Sequence, residues 1–196
     1  MKNSKKIGEF ELNLKNIFKS VIIVDKYEKS QLDLNIEVLQ TDGGSEFCAA
    51  VNSATLALID AGICMKEYIC ACTASLSNEG VPLMDVSHLE EICGKFRSNT
   101  LWFKWLINIP FTGGPTLTIA ALPRVGDHEQ SVAFVEMSQK FYLKDLNKII
   151  DCAMAGCEKI RTILDQAIRD NAMETSVDLL ETWNYLIKKQ ISFTIT

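Results

Sequence analysis

Val38-Leu39-Gln40-Thr41-Asp42-Gly43-Gly44-Ser45-Glu46, continued by Val51-Asn52-Ser53-Ala54-Thr55-Leu56-Ala57-Leu58-Ile59-Asp60-Ala61-Gly62, is the stretch on which the fold turns. Upstream of it, Ser30 to Gln40 alternates: Leu32, Leu34, Ile36 and Val38 are apolar, while Asp33, Asn35 and Glu37 are polar. A period of two predicts a half-buried strand. Thr41-Asp42-Gly43-Gly44 breaks the pattern, and a helix is expected from about Ser45 to Ala61, stopped by Gly62. Phe47, Val51, Ala54 and Leu58 make one stripe of that helix, and Cys48, Ala49, Leu56 and Ile59 make most other faces apolar or small. A helix apolar nearly all round is a buried helix. The unit is therefore strand, tight turn, buried helix.

Working outward, Phe10, Leu14, Ile17, Phe18 and Val21 recur at helical spacing and predict a helix over 9–24. Tyr68 to Ser75 reads as a strand of small and β-branched residues, and Val81 to Val86 as its hairpin partner across the turn Ser77-Asn78-Glu79-Gly80. Thr116–Leu122 and Ser131–Met137 predict a second hairpin. A last helix is expected over about 143–170, because Leu143, Leu146, Ile150, Ala153, Cys157, Ile160, Leu164 and Ala167 keep a three-four spacing. That stripe is read as packing against a sheet. Few helices and locally paired strands imply an α+β layer, not a doubly wound parallel sheet.

Composition sets outer bounds. The chain has 196 residues, 47% of them hydrophobic and 23% charged, which is ordinary for a globular domain. Its net charge of −5 argues against strong nucleic-acid binding by this chain alone, since phosphate contact leaves a basic footprint. Any RNA role would use a local patch or a surface shared with partners. Seven cysteines, an odd number, show no zinc-knuckle spacing, and Cys70 and Cys72 would point the same way on a strand. They read as buried reduced thiols of a reducing compartment. No metal or cofactor is expected. His88 and His128 are lone, without a triad or a metal set around them. The polar, basic start of the chain shows no signal peptide, and no apolar run approaches the roughly 20 residues needed to cross a bilayer. The nearest, Leu101 to Phe111, is short and carries Lys104. No membrane partner is expected.

Residues 95–112, Lys-Phe-Arg-Ser-Asn-Thr-Leu-Trp-Phe-Lys-Trp-Leu-Ile-Asn-Ile-Pro-Phe-Thr, follow neither period and stand where polar connection residues are expected. Three readings stay open: an aromatic contact loop, an extra buried element, or translated non-coding sequence such as a short retained intron. Gly94-Lys95-Phe96 can be encoded by a common splice-donor sequence. A transcript lacking these codons would support the third reading, and a message that always contains them would sink it.

The run Val38 to Ser45, Val51 to Met65, Cys70-Ala71-Cys72-Thr73-Ala74 and Met84-Asp85-Val86-Ser87-His88-Leu89-Glu90-Glu91 resembles an RNase PH domain, and within that family the ring subunits of the eukaryotic RNA exosome. The resemblance spans roughly residues 9–94 and 113–172, leaving 173–196 as a C-terminal tail. It implies an α+β, RNase PH-like fold (the ribosomal protein S5 domain 2-like type). Family members carry further strands and basic residues before the first helix here, so a partial domain, incomplete at its N-terminus, is expected.

The resemblance also locates a phosphate site. Active relatives attack the last phosphodiester of RNA with inorganic phosphate, which calls for cations and hydrogen-bond donors beside the anion. In them a glycine-rich turn ends in Ser or Thr followed by Arg, at a helix N-terminus. Here Gly43, Gly44 and Ser45 stand in those places as phosphate- or RNA-facing residues, but the arginine position is Glu46. A carboxylate ~4 Å from phosphate costs of order 1–4 kcal/mol, depending on the local dielectric. Two acidic residues complete the active site of such relatives; Asp85 matches the first, and Glu91 stands at the second as a longer carboxylate. Glu46, Asp85 and Glu91 are therefore expected to be degenerate catalytic positions. The implied role is a non-catalytic exosome ring subunit for 3′-to-5′ RNA processing and decay, nuclear, nucleolar and cytoplasmic. Its implied partners are other RNase PH-like ring subunits, RNA in the assembled channel and a separate nuclease subunit. The competing readings are a phosphate-dependent 3′-to-5′ exoribonuclease and a truncated product that does not assemble.

Overall fold

The computed structural model describes residues 2–40, 45–77, 80–85, 115–122, 131–140 and 142–191, the side chains of 2–6 and 176–191 excepted. Helix α1 spans Lys2–Val21 and α2 spans Glu46–Asp60. Strands β1 (Cys70–Leu76), β2 (Pro82–Met84), β3 (Thr116–Leu122) and β4 (Ser131–Met137) follow, and helix α3 spans Leu143–Ile191. The strands form one antiparallel sheet in the order β2-β1-β3-β4. The antiparallel order accords with the expected α+β layer. By contact the chain divides into two units, 1–161 and 162–196; the first holds the sheet and its covering helices, and the second holds the later part of α3.

β1 is buried along nearly its whole length, so a helix must cover each of its faces. Its register with β3 sets the two faces: Ala71, Thr73 and Ser75 lie opposite Ala120, Thr118 and Thr116, and Cys70, Cys72 and Ala74 lie opposite Ala121, Ile119 and Leu117. Alternation along a strand sends these two sets to opposite sides. The first face meets α1 and α2. Leu14, Ile17, Phe18 and Val21 of α1, Val51, Ala54 and Leu58 of α2, and Ala71 and Ala120 of the sheet form one buried cluster. Phe47 bridges it to the outer strand, 5.2 Å from Phe10 edge-on and 4.9 Å from Phe134 by ring centroids. A bulge between Ala120 and Ala121 leaves Ala133 without a partner in the β3–β4 register.

The second face meets the start of α3. Ile149, Ala153 and Cys157 are fully buried. Gly156 lets the helix approach β1 so closely that a Cβ there would overlap Cys72 Sγ, with Met84 Cγ at 3.2 Å. Cys70 and Cys72 share this face, as the strand period requires.

Some expected bounds change. α1 starts earlier and ends earlier than 9–24, β1 and β2 are shorter than the predicted hairpin arms, and α3 runs past 170 to Ile191. β3 and β4 take the expected limits. Gly62 closes α2 at φ +68, the left-handed backbone that glycine adopts without a steric cost. The larger difference is at 30–40. That segment forms no strand, and only Ile36 is part-buried. Alternation prepares a strand, but a ladder also needs a neighbour, and this segment has none among the described residues. Residues 95–112, His88, His128 and Cys93 lie outside the described residues. No described helix is long and apolar enough to cross a membrane.

Candidate functional site

Three contacts fix how α2 lies on β1. Thr55 Oγ1 donates to the Ile69 carbonyl at 2.9 Å. The Asn52 amide brackets Ala71, donating to its carbonyl at 3.0 Å and accepting its N–H at 2.8 Å. Cys48 Sγ lies 3.1 Å from Thr73 Oγ1. Later helix residues meet earlier strand residues, so α2 runs antiparallel to β1 and its first turn comes to rest over Thr73. The Asn52 pair has a second consequence. Among the described residues β2 pairs β1 only from Ala74 to Leu76, and no strand lies on that edge at Ala71. The Asn52 side chain takes the place of the missing strand there.

Asp85, the residue after β2, sits at the same level. Its N–H donates to the Thr73 carbonyl at 2.8 Å, continuing the β1–β2 ladder by one bond. Its φ is +55, a left-handed conformation in which aspartate is among the better-tolerated residues. Asp85 is exposed. Thr73 is thus the hub: its carbonyl holds Asp85, and its hydroxyl holds Cys48 and lies 3.5 Å from Thr118 Oγ1. Further along the same face, Thr116 Oγ1 and Ser138 Oγ lie 2.6 Å apart, and Ser75 Oγ donates to the Pro115 carbonyl at 3.4 Å. A row of hydroxyls therefore replaces the alanines that line this face nearer α1.

Of the residues singled out from sequence, Ser45 is the N-cap of α2, half-buried, and its side chain makes no capping bond; its carbonyl accepts the Ala49 N–H at 3.0 Å. Ser45 lies three residues before Cys48 and so shares its side of the helix. Glu46 opens the helix and is exposed. Gly43, Gly44 and Glu91 lie outside the described residues. The structure thus brings Ser45, Glu46 and Asp85 to one end of α2, through Cys48 and Thr73. Among the described residues, neither Glu46 nor Asp85 forms an ion pair with a cation.

Cys48 itself is held neutral. Burial pushes its thiol up to about 11; the bond with Thr73 works against this, and the charge of Asp85 adds to it. A neutral thiol is neither a nucleophile nor a metal ligand. Among the described residues no group of three or more His, Cys, Asp or Glu could hold a metal ion. Sequence reasoning missed Thr73, Thr118 and Cys48. The signal was the parity of Thr73 and Ser75 with Ala71, but joining it to β3 needs the register.

Comparison with known proteins fits this geometry. Residues 1–64 match the RNase PH family, described as the 3′ exoribonuclease family, domain 1. The chain is 34% identical over 173 residues to exosome complex component RRP41 of Bos taurus, covering 88% of this chain and 60% of that protein. It is 27% identical to exosome complex component SKI6 of Saccharomyces cerevisiae, again over 88% of this chain and 60% of the relative. This chain thus spans about 60% of the length of these relatives. In fold it is similar to the crystal structure of rice Rrp46, with a TM-score of 0.58, 16% identity, and coverage of 84% of this chain and 67% of that one. Over most of its length the chain is thus similar to RNase PH-family exosome components, and residues 1–64 match that family's first domain.

Proposed function

We propose that this chain acts as a non-catalytic ring subunit of an RNA exosome, one wall of a channel that passes RNA to a separate nuclease subunit during 3′-to-5′ processing and decay. The kinship with exosome complex components supports the assembly role. One observation carries the non-catalytic part: the first residue of α2, where the family's phosphate site calls for a cation, is the exposed carboxylate Glu46. Asp85, linked to Cys48 of the same helix through Thr73, adds a second exposed carboxylate to the described residues that the resemblance singles out. On this reading RNA contact belongs to the assembled ring, whose other RNase PH-like subunits supply the basic surface that a chain of net charge −5 lacks. Nuclear, nucleolar and cytoplasmic residence follows from the same role.

A second reading, a phosphate-dependent 3′-to-5′ exoribonuclease, draws on Asp85, whose strained backbone and hydrogen bond to Thr73 hold a carboxylate where an acid would serve. The two are separated by co-purifying the tagged chain with exosome subunits and measuring RNA decay by the same material with and without inorganic phosphate. Recovery of the ring with decay indifferent to phosphate supports the scaffold. Phosphate-dependent trimming that Asp85→Asn abolishes overturns it. Recovery of no exosome subunit overturns both and leaves a product that does not assemble.

A further inference from the structure

We propose that Cys64 and Lys26 form a redox-modification site, at which a hydroperoxide oxidises the thiol and the lysine amine captures the oxidised sulfur in a covalent S–N bond. The two residues are 38 apart in sequence, yet Lys26 Nζ lies 3.5 Å from Cys64 Sγ. Separations of about 3–3.5 Å are those from which atoms react. Backbone contacts build the approach. Lys26 stands in a short 3-10 turn, Val24–Tyr27, that follows α1, and Cys64 stands in the loop after α2. The Cys64 carbonyl accepts the Ile23 N–H at 3.0 Å, and the Cys64 N–H donates to Tyr27 Oη at 2.8 Å. One residue on, Met65 bridges Ile22, and the Lys66 N–H donates to the Val21 carbonyl at 2.9 Å. The main chain around the pair is therefore held, and only the two side chains bring nitrogen to sulfur. Lys66, on the same loop, is engaged elsewhere: its Nζ donates to the Ser20 carbonyl at 2.9 Å.

The same contacts single out this thiol. Among the described cysteines, Cys48, Cys70, Cys72 and Cys157 are buried, and Cys64 and Cys152 are half-buried. Burial raises the Cys152 thiol, whereas hydrogen bonds from Tyr27 and Lys26, with the charge of Lys26, lower that of Cys64. The thiolate is the form that attacks peroxide. In the first step Sγ attacks one peroxide oxygen and the O–O bond breaks. The sulfur is oxidised by two electrons to a sulfenic acid, and the departing oxygen takes a proton and leaves as water or an alcohol. In the second step the neutral Lys26 amine attacks Sγ. The S–N bond forms, the S–O bond breaks, and the hydroxyl leaves as water with a proton from the nitrogen. The protein loses two hydrogens in all, and a dithiol reductant restores both side chains.

The inference does not depend on the exosome reading and is tested on the full chain. The protein is treated with hydrogen peroxide, digested with trypsin and read by mass spectrometry. Expected is a pair of peptides joined through Lys26 and Cys64, two hydrogens lighter than its separate parts, with no cleavage after Lys26 and full reversal by dithiothreitol. Cys64→Ser should abolish the link. Lys26→Arg keeps a cation beside the sulfur but removes the capturing amine, so the sulfenic acid stays open to further peroxide. At Cys64 this variant should accumulate at least about tenfold more sulfinic acid, which dithiothreitol does not reverse, than the parent chain. Equal sulfinic acid at Cys64 in the parent and in Lys26→Arg overturns the proposal, because the amine then captures nothing. Oxidation of Cys152 ahead of Cys64 also overturns it, as does a disulfide of Cys64, within the chain or between two copies, as the main product.

Discussion

The two faces of one sheet are built from different materials. The face under α3 is apolar and close: Cys70, Cys72 and Ala74 meet Ile149, Ala153 and Cys157, and a glycine brings the helix against the strand. The face under α2 begins in the same way, with Ala71 and Ala120 in the core, then changes within two residues to Thr73, Thr118, Ser75 and Thr116. On β1 Thr73 and Ser75 are as buried as Ala71, while Thr116 and Thr118 of β3 are half-buried. Hydroxyls taken from water need partners, and here they find them in Cys48, in backbone carbonyls and in each other. The α3 face is built for close apolar packing. The α2 face gives up apolar area toward the end where the α2 N-terminus lies and Asp85 bonds Thr73.

If the α3 face is set by fit, its most sensitive point is Gly156. Alanine in a helix is ordinarily favoured over glycine by about 0.8–1 kcal/mol. Here its Cβ would enter the space of Cys72 Sγ, on a strand that cannot move aside. Gly156→Ala should therefore destabilise by about 1–3 kcal/mol, the usual cost of an overpacked core. Chemical denaturation measures it. Adding Cys72→Ala removes the sulfur and should recover part of the loss, a non-additivity expected only of residues in contact. A stabilising Gly156→Ala would show that the helix does not seat against β1 as described.

The α2 face should break differently, through hydrogen bonds. Asn52→Leu keeps the bulk of the side chain but leaves the N–H and C=O of Ala71 without their partner. The cost is about 1–3 kcal/mol, reduced as far as water reaches this half-buried side chain. Asn52→Asp retains an acceptor for the Ala71 N–H and should fall between the two. If Asn52→Leu costs nothing, the amide is not standing in for a strand.

Much of this was legible in the sequence, and the part that was not has a common cause. Local period gave β3, β4 and α2, whose apolar spacing and flanking turn residues act within a few residues of one another. The stretch from Val38 to Met65 carried the resemblance and pointed to Ser45 and Glu46, and the separate Met84–Glu91 stretch pointed to Asp85. What depended on register was hidden. Thr73 becomes a hub only when β1 pairs β3 and α2 crosses it at Cys48, contacts 25 and 45 residues apart in sequence. Asn52 and Thr55 stood inside the recognised motif, but their work of closing the β1 edge depends on β2 being three residues long. Residues 30–40 show the converse: the pattern of a strand was plain, and no neighbour that would make it one is found among the described residues.

Thiol ionisation compares the faces in one titration. Burial raises Cys72 and Cys157 on the α3 side to about 12, and Cys48 on the α2 side to about 11, from an ordinary value of 9.0. A raised folded value means that the unfolded chain releases protons first, so the stabilisation is complete below pH 9 and declines as pH climbs through 9 toward 11 and 12. The limiting slope is about 1.4 kcal/mol per pH unit for each thiol. Urea midpoints between about pH 8 and 10.5 should fall, and Cys72→Ala should flatten the decline more than Cys64→Ala. Cys64, which accepts a bond from Lys26 at 3.5 Å and lies beside the Tyr27 hydroxyl, has its thiol lowered and contributes in the opposite sense. Equal flattening by the two variants would remove the distinction between the buried thiols and this one.

The smallest expected effect on stability is the most informative about function. Glu46 opposes phosphate, yet a carboxylate in the first turn suits the positive end of a helix by about 0.3–1 kcal/mol. The substitution that would rebuild a cationic phosphate site, Glu46→Arg, therefore works against the fold while favouring the ligand. It should lower the denaturation midpoint by an amount equivalent to at most about 1 kcal/mol, less at high salt. Inorganic phosphate should then recover part of that loss in the variant and none in the parent chain, because an anion that binds only the folded state shifts the equilibrium toward it. Stabilisation of both proteins by phosphate would place the anion site elsewhere than the α2 N-terminus. Stabilisation of neither would show that one cation at the start of α2 is too little to hold the anion.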